Sequence, residues 1–323
     1  FVILFLSLIN IYGSNFSDDL HHYHGGYITN TDNGNYIIGS NFLHHHYGYS
    51  SIWLILHSYL NFNSYFLQDI HVLNGLILFL VLSYFFTENN EKSRLPNQNL
   101  LLLISSIFIF FFLLKYTRLK EFGLDRPGVL IYCFLIFFSA KYQYILKEGS
   151  KAKDKLLLII LLFCLFITSI KIFFLSCFLL PLIFIFQTKS YSFLLSKLIF
   201  IFYFLSFCYF LKNILINGCL IYPFEFTCFS NLSWNSKEIA SGILIGTEAM
   251  SKSFKEYNGS LNVLEYINNF NWVKTWSARN FEEFNNYLFT IILVIFLFLI
   301  SNKSKKNLNK FNQIEIIIFS LFI

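Results

Sequence analysis

The run Phe1 to Tyr12 (FVILFLSLINIY) passes within a few residues into Ser17-Asp18-Asp19-Leu20-His21-His22-Tyr23-His24. The first stretch reads as the end of a membrane helix. The second reads as the place where the chain leaves the bilayer. Ionisable groups at such a boundary are costly to hold and point to function rather than packing. Two adjacent carboxylates with three histidines and a tyrosine are therefore expected to face a water-filled cavity on the outer side of a membrane. In that setting Asp18, Asp19 and His24 are the candidate catalytic groups, with Tyr23 beside the substrate.

Composition points the same way. The chain is 56% hydrophobic and 13% charged, against roughly 45–50% and 25% for ordinary soluble domains. Its mean hydropathy is +0.57. The fold class expected is all-α, a polytopic integral membrane protein. A spanning helix needs about 20 apolar residues. Runs of this kind lie at Phe1–Tyr12, Phe66–Phe86, Leu100–Leu114, Val129–Leu146, Leu156–Ile170, Ile172–Phe186, Leu198–Ile216, Tyr287–Ile300 and Ile314–Ile323. That makes about nine spans, with both ends of the chain reading as truncated. The piece between Ile52 and Leu60 is too short to cross and reads as an interfacial helix.

The net charge of +6 is spread over short loops between apolar runs, where it sets topology and not nucleic-acid binding. Lys92, Arg94, Lys147, Lys151, Lys153, Lys155, Lys189, Lys197, Lys303, Lys305, Lys306 and Lys310 mark one set of loops as cytoplasmic. The loop 13–65 has no Lys or Arg and belongs outside. The division expected is a transmembrane module over 1–216 with that first outer loop, an outer segment over 217–286, and further spans over 287–323. The segment 115–126 carries Lys115, Arg118, Lys120 and Arg126 although the alternation puts it outside. Cys133, Cys164, Cys177 and Cys208 sit in apolar runs and read as core residues. Cys219 and Cys228 share one polar loop and could pair there.

All eight histidines lie between His21 and His71. Imidazole with carboxylate suits a divalent metal, and neutral His serves as acid or base near pH 7. No fixed ligand spacing accompanies them, so the metal is left open, as is the bland reading of His44–His46 as a polar stretch in a Lys-free loop. Lys171 stands between two apolar runs; a Lys at membrane depth must snorkel or pair, and a carrier-lipid phosphate would suit its compact charge. Glu121, Asp125 and Arg126 stand at the mouth of the next span, with Pro127 in its first turn. Tyr222, Trp234, Trp276 and Arg279 mark the large outer segment, where aromatic residues anchor at the headgroup belt or stack on sugar rings.

These pieces together resemble the GT-C class of membrane glycosyltransferases, which includes the protein O-mannosyltransferases and the lipid A aminoarabinose transferases. More narrowly, the chain looks like an uncharacterised bacterial family related to that class. The resemblance rests on Asp19 with Tyr23-His24, on Gly48-Tyr49-Ser50-Ser51-Ile52-Trp53, on Lys171, on Asn217-Gly218 through Tyr222-Pro223, on Trp234, and on Trp276 with Arg279. It implies a polyprenyl-phosphate-linked sugar as donor, inversion at the anomeric carbon, and residence in the bacterial cytoplasmic membrane among its lipids. It further implies an acidic residue of the first outer loop, Asp18 or Asp19, as general base. Lys171, Arg126 and Arg279 are then candidates to meet the leaving phosphate. A second carboxylate, found in several members of the class, has only Glu121 or Asp125 to fill it, and neither matches cleanly. The rival readings are an O-antigen polymerase or ligase, which relies on outer arginines and an outer His, and a lipid or sugar transporter, which needs charges at mid-membrane.

Overall fold

The computed structural model describes residues 2–11, 20–34, 38–60, 72–90, 123–142, 151–268, 270–282, 284–285, 288–289 and 292. Helices dominate these residues, and the apolar runs supply most of them. They are α1 (Val2–Ile11), α2 (Gly25–Asp32), α3 (Ile52–Tyr59), α4 (Val72–Asn90), α5 (Asp125–Lys141), α6 (Lys151–Ile170), α7 (Leu179–Gln187), α8 (Phe200–Asn217), α9 (Lys237–Ser251) and α10 (Val263–Ile267). Two compact units divide the chain, Phe1–Glu248 and Ala249–Ile323.

In the first unit α1 packs on α4, α4 on α5 and α5 on α6, while α6 also touches α3 and α8. Leu78, Val81, Leu82 and Phe85 of α4 meet Leu130, Cys133 and Phe137 of α5 in one buried cluster. The rings of Phe85 and Phe137 meet edge to face at 4.5 Å, a geometry that adds to the area they bury. A second cluster joins Tyr27 and Ile28 of α2 to Leu54 and Ile55 of α3, with Leu124 at the start of α5 packed against it. That contact brings the mouth of α5 against α2 and α3.

The nine-span expectation is overturned. Among the described residues one helix, Lys197–Asn217, is long and apolar enough to cross a membrane. The apolar stretches Val72–Phe85 and Ile172–Gln187 fall in the 10–17-residue range. Even 17 residues reach only about 26 Å at 1.5 Å per residue, short of a hydrocarbon core of about 30 Å. In α6 the first turn is Lys151, Lys153 and Asp154, so its apolar part is also short. The run Ile172–Phe186 is not one helix at all: residues Ile172–Phe178 form a 3-10 turn before α7. Pro181 falls in the first turn of α7, where a missing N–H costs no intrahelical bond. The expected spans Leu100–Leu114 and Ile314–Ile323, and most of Tyr287–Ile300, lie outside the described residues. Much of the apolar content of α4, α5 and α6 is turned onto neighbouring helices. Leu78, Leu130, Leu135, Phe137, Leu157, Ile160 and Ile167 are all essentially inaccessible.

The short piece after Ser51 does form a helix, α3, capped by the Ser51 hydroxyl, which accepts from the Trp53 N–H. Such a cap satisfies one of the orphan donors of the first turn. Cys133, Cys164 and Cys177 are buried, whereas Cys208 is exposed. Cys219 and Cys228 are joined by a disulfide.

In the second unit Asn262 and Glu265 cap α10 reciprocally. Tyr266 is buried and its hydroxyl donates to the Lys252 carbonyl at 2.7 Å. The Lys252 ammonium donates in turn to the Ile267 carbonyl at 2.8 Å.

Candidate functional site

The C-terminal turns of α8 hold the candidate site in place. Lys212, Asn213 and Asn217 interrupt an otherwise apolar helix, and Asn213 and Asn217, four residues apart, share one face. Asn213 accepts from the Ser50 hydroxyl at 2.8 Å and donates to the Leu220 carbonyl at 3.0 Å. Asn217, fully buried, donates to the Gly48 carbonyl at 2.7 Å and accepts from the Cys219 N–H at 2.8 Å. The Lys212 ammonium donates to the Ser50 carbonyl at 2.5 Å. Gly218 ends the helix in the left-handed region (φ 73), a conformation that glycine adopts without a Cβ penalty.

What these groups grip is the turn His45–Tyr49, a 3-10 segment. Tyr222 lies over it. Its hydroxyl donates to the His45 carbonyl at 3.0 Å. A Cβ at Gly48 would stand 2.7 Å from the Tyr222 ring, so only glycine lets the turn pass so close. Tyr49 meets Tyr222 edge to face at 5.3 Å. Burial pushes both phenols above their ordinary range; a hydrogen bond with Thr247 offsets part of this for Tyr49, and the nearby Tyr49 adds to it for Tyr222. Both remain neutral near pH 7. Ser50 is left-handed (φ 43) without being glycine, a conformation that persists where its surroundings hold it. Here Lys212 and Asn213 do the holding.

On this turn the rings of His44, His45 and His46 gather. Their ligand nitrogens lie within 4.8 Å of one another. His44 and His46 are half-buried and His45 is exposed. His44 Nδ1 accepts from the His46 N–H at 3.3 Å. Burial, then His45, then His22 lower the His44 pKa, which keeps its imidazole neutral near pH 7. Tyr23 stacks on His46 at 4.3 Å and on His44 at 5.8 Å, and meets His24 edge-on at 4.2 Å. Tyr23 and the buried His24 come from a π-helical turn, Leu20–His24, that leads into α2. Such turns are often found at functional sites.

The other convergence is an ion pair. Lys171 stands between α6 and the 3-10 turn that follows, and its ammonium binds the Asp125 carboxylate at the first turn of α5. Of the two fates open to a Lys between apolar runs, pairing is the one realised. The pair is tied to the histidine loop from both sides. The Ser51 hydroxyl donates to the carbonyl of Ile170, next to Lys171, at 2.7 Å, and Leu124, next to Asp125, packs on α2 and α3. The side chains are 39% and 66% exposed. An exposed pair of this kind contributes about 0–1 kcal/mol, so a better partner can open it.

Asp18, Asp19 and Glu121 lie outside the described residues, as does His71. Arg126 is half-buried beside Asp125. Trp234 is half-buried, with its indole N–H on the Ile214 carbonyl at 2.8 Å. Trp276 and Arg279 belong to the second unit. There Trp276 meets Trp272 edge to face at 6.2 Å, and Arg279 pairs with Glu256 at 2.8 Å. The structure thus brings together Tyr23, His24 and the His44–His46 turn, with Tyr222 over it, and separately brings together Asp125 and Lys171. Lys212 and Asn213 were missed in the sequence. The signal was there, a Lys-Asn pair inside the run Leu198–Ile216.

No curated protein and no solved structure matches this chain. The family model described as "Domain of unknown function (DUF8201)" matches residues 1–323, and the chain belongs to that family.

Proposed function

We propose that this protein transfers a sugar from a polyprenyl-phosphate carrier to an acceptor at the outer face of a membrane. The observation that carries the reading is the Lys171–Asp125 pair, held against the histidine loop by Ser51 and Leu124. A cation beside a carboxylate, weakly paired and partly exposed, is what a phosphate can enter. Lys171 then turns from Asp125 to the donor phosphate. The acceptor oxygen attacks the anomeric carbon, and the carbon–oxygen bond to phosphate breaks with its electron pair leaving on the lipid phosphate. Lys171, with Arg126 beside Asp125, meets that charge. Asp18 or Asp19 takes the acceptor proton.

Two further features support a membrane setting. Little of the helix Lys197–Asn217 is covered by the rest of the chain, and Phe200, Ile201, Phe204, Phe207 and Leu211 face outward. Lipid is a fitting neighbour for an apolar face of that extent. The Cys219–Cys228 disulfide suits an oxidising, extracytoplasmic compartment.

A carrier reading draws on one observation, Lys212 on that same helix. Reconstituted protein given labelled polyprenyl-phosphate sugars and cell-envelope acceptors separates the two. Sugar transfer is expected, with a fall of about 10²–10⁴-fold, the scale of general-base catalysis, when Asp18 and Asp19 are both changed to Asn. Label that crosses the bilayer and stays on the lipid would establish the carrier instead. Equal transfer by the double Asn variant would remove the base from those positions.

A further inference from the structure

The histidine turn has a use that sugar transfer does not require. We propose that His44, His45 and His46 form a binding site for a borderline divalent transition metal of the zinc class, with three imidazole ligands and a position left open. Imidazole is a preferred ligand for zinc, copper and nickel, whereas magnesium and calcium favour oxygen. The ligand nitrogens already lie within 4.8 Å of one another. A tetrahedral zinc with bonds of about 2.0–2.1 Å spaces its nitrogens about 3.4 Å apart. Closing the set therefore takes a shift of roughly 1.4 Å at most, within reach of side-chain rotation.

The backbone beneath these rings is fixed. Tyr222 holds the His45 carbonyl, Asn217 the Gly48 carbonyl, and Lys212 and Asn213 the two sides of Ser50. Metal sites work when the elements carrying the ligands are rigid. The Tyr23 ring packs flat on His46 and restrains the ring's orientation. One contact must be given up. His44 Nδ1 receives the His46 N–H at 3.3 Å, a long and weak bond; while it is made the neutral ring carries its proton on Nε2, so a metal on either nitrogen displaces it. Three protein ligands with an open fourth position is the pattern of catalytic rather than structural zinc. His45, the exposed member, marks the open side.

Tag-free full-length protein in detergent, stripped with chelator, tests this with Zn²⁺ alone by isothermal titration, and with Co²⁺ by its visible absorption. One equivalent is expected, with tetrahedral-type cobalt bands. His45→Gln, whose side chain is exposed, is expected to weaken zinc binding at least tenfold with an unchanged circular dichroism spectrum. His44→Gln with His46→Gln is expected to abolish it. His57→Gln, a buried histidine outside the cluster, is expected to bind zinc as the native chain does. Absence of saturable zinc binding, or undiminished binding in His45→Gln, would overturn the proposal. None of these outcomes depends on sugar transfer, so the metal site stands or falls apart from the reading above.

Discussion

Asn217→Ala is the substitution that best probes how the site is built. The Asn217 side chain is fully buried, and its two polar ends are both committed, one to the Gly48 carbonyl and one to the Cys219 N–H. Alanine leaves both backbone groups without that partner. A buried group stripped of its partner costs about 1–3 kcal/mol, so two give roughly 2–6 kcal/mol; water entering the vacated volume favours the lower end. A domain of 150–250 residues loses about 2–4 °C per kcal/mol, which sets the fall in Tm at about 4 °C or more. The assay is thermal unfolding in detergent followed by tryptophan emission. Trp234, bonded to the Ile214 carbonyl one turn away on α8, reports the region directly. Asn217→Asp keeps the acceptor for Cys219 but sets a buried carboxylate against the Gly48 carbonyl, so at neutral pH its cost should exceed that of alanine. A Tm for Asn217→Ala within 1 °C of native, or an Asp variant at neutral pH as stable as the native chain, would refute the claim that this side chain straps the histidine turn to α8.

Two further outcomes follow from the same contacts. Gly48→Ala places a methyl 2.7 Å from the Tyr222 ring and should cost about 1–3 kcal/mol, the range for overpacking; urea titration checks it, and a neutral result would contradict the close approach. Reduction of Cys219–Cys228, which closes a loop with a sequence separation of 9, should lower stability by about 2–3 kcal/mol on the chain-entropy account, read as a Tm difference with and without reductant.

Several helices were legible in the sequence as long apolar runs, although the run Ile172–Phe186 breaks into a 3-10 turn and a short helix. Val129–Leu146, Leu156–Ile170 and Leu198–Ile216 each contain most of a helix that forms. The number of membrane spans was not legible, because hydropathy says that a side chain avoids water and not what covers it. Leu130 and Phe137 are covered by α4, while Phe204 and Phe207 face outward, and their local sequences look alike. The sequence left Lys171 either to snorkel or to pair; its ion-pair partner Asp125 is 46 residues away, a separation no local pattern encodes. The histidine turn was visible only as composition. Its rigidity comes from Asn213, Asn217 and Tyr222, each more than 160 positions further along.

The central claim is that Lys171 exchanges Asp125 for a lipid-linked phosphate. Equilibrium binding of a polyprenyl monophosphate to the protein in nanodiscs tests it most directly. Lys171→Met should weaken binding about 10–150-fold, the equivalent of about 1.5–3 kcal/mol for a hydrogen bond to a charged group. Asp125→Asn, which removes the competing carboxylate, should tighten it. Opposite signs are the prediction; binding that is unchanged in Lys171→Met, or that weakens equally in both variants, would contradict it.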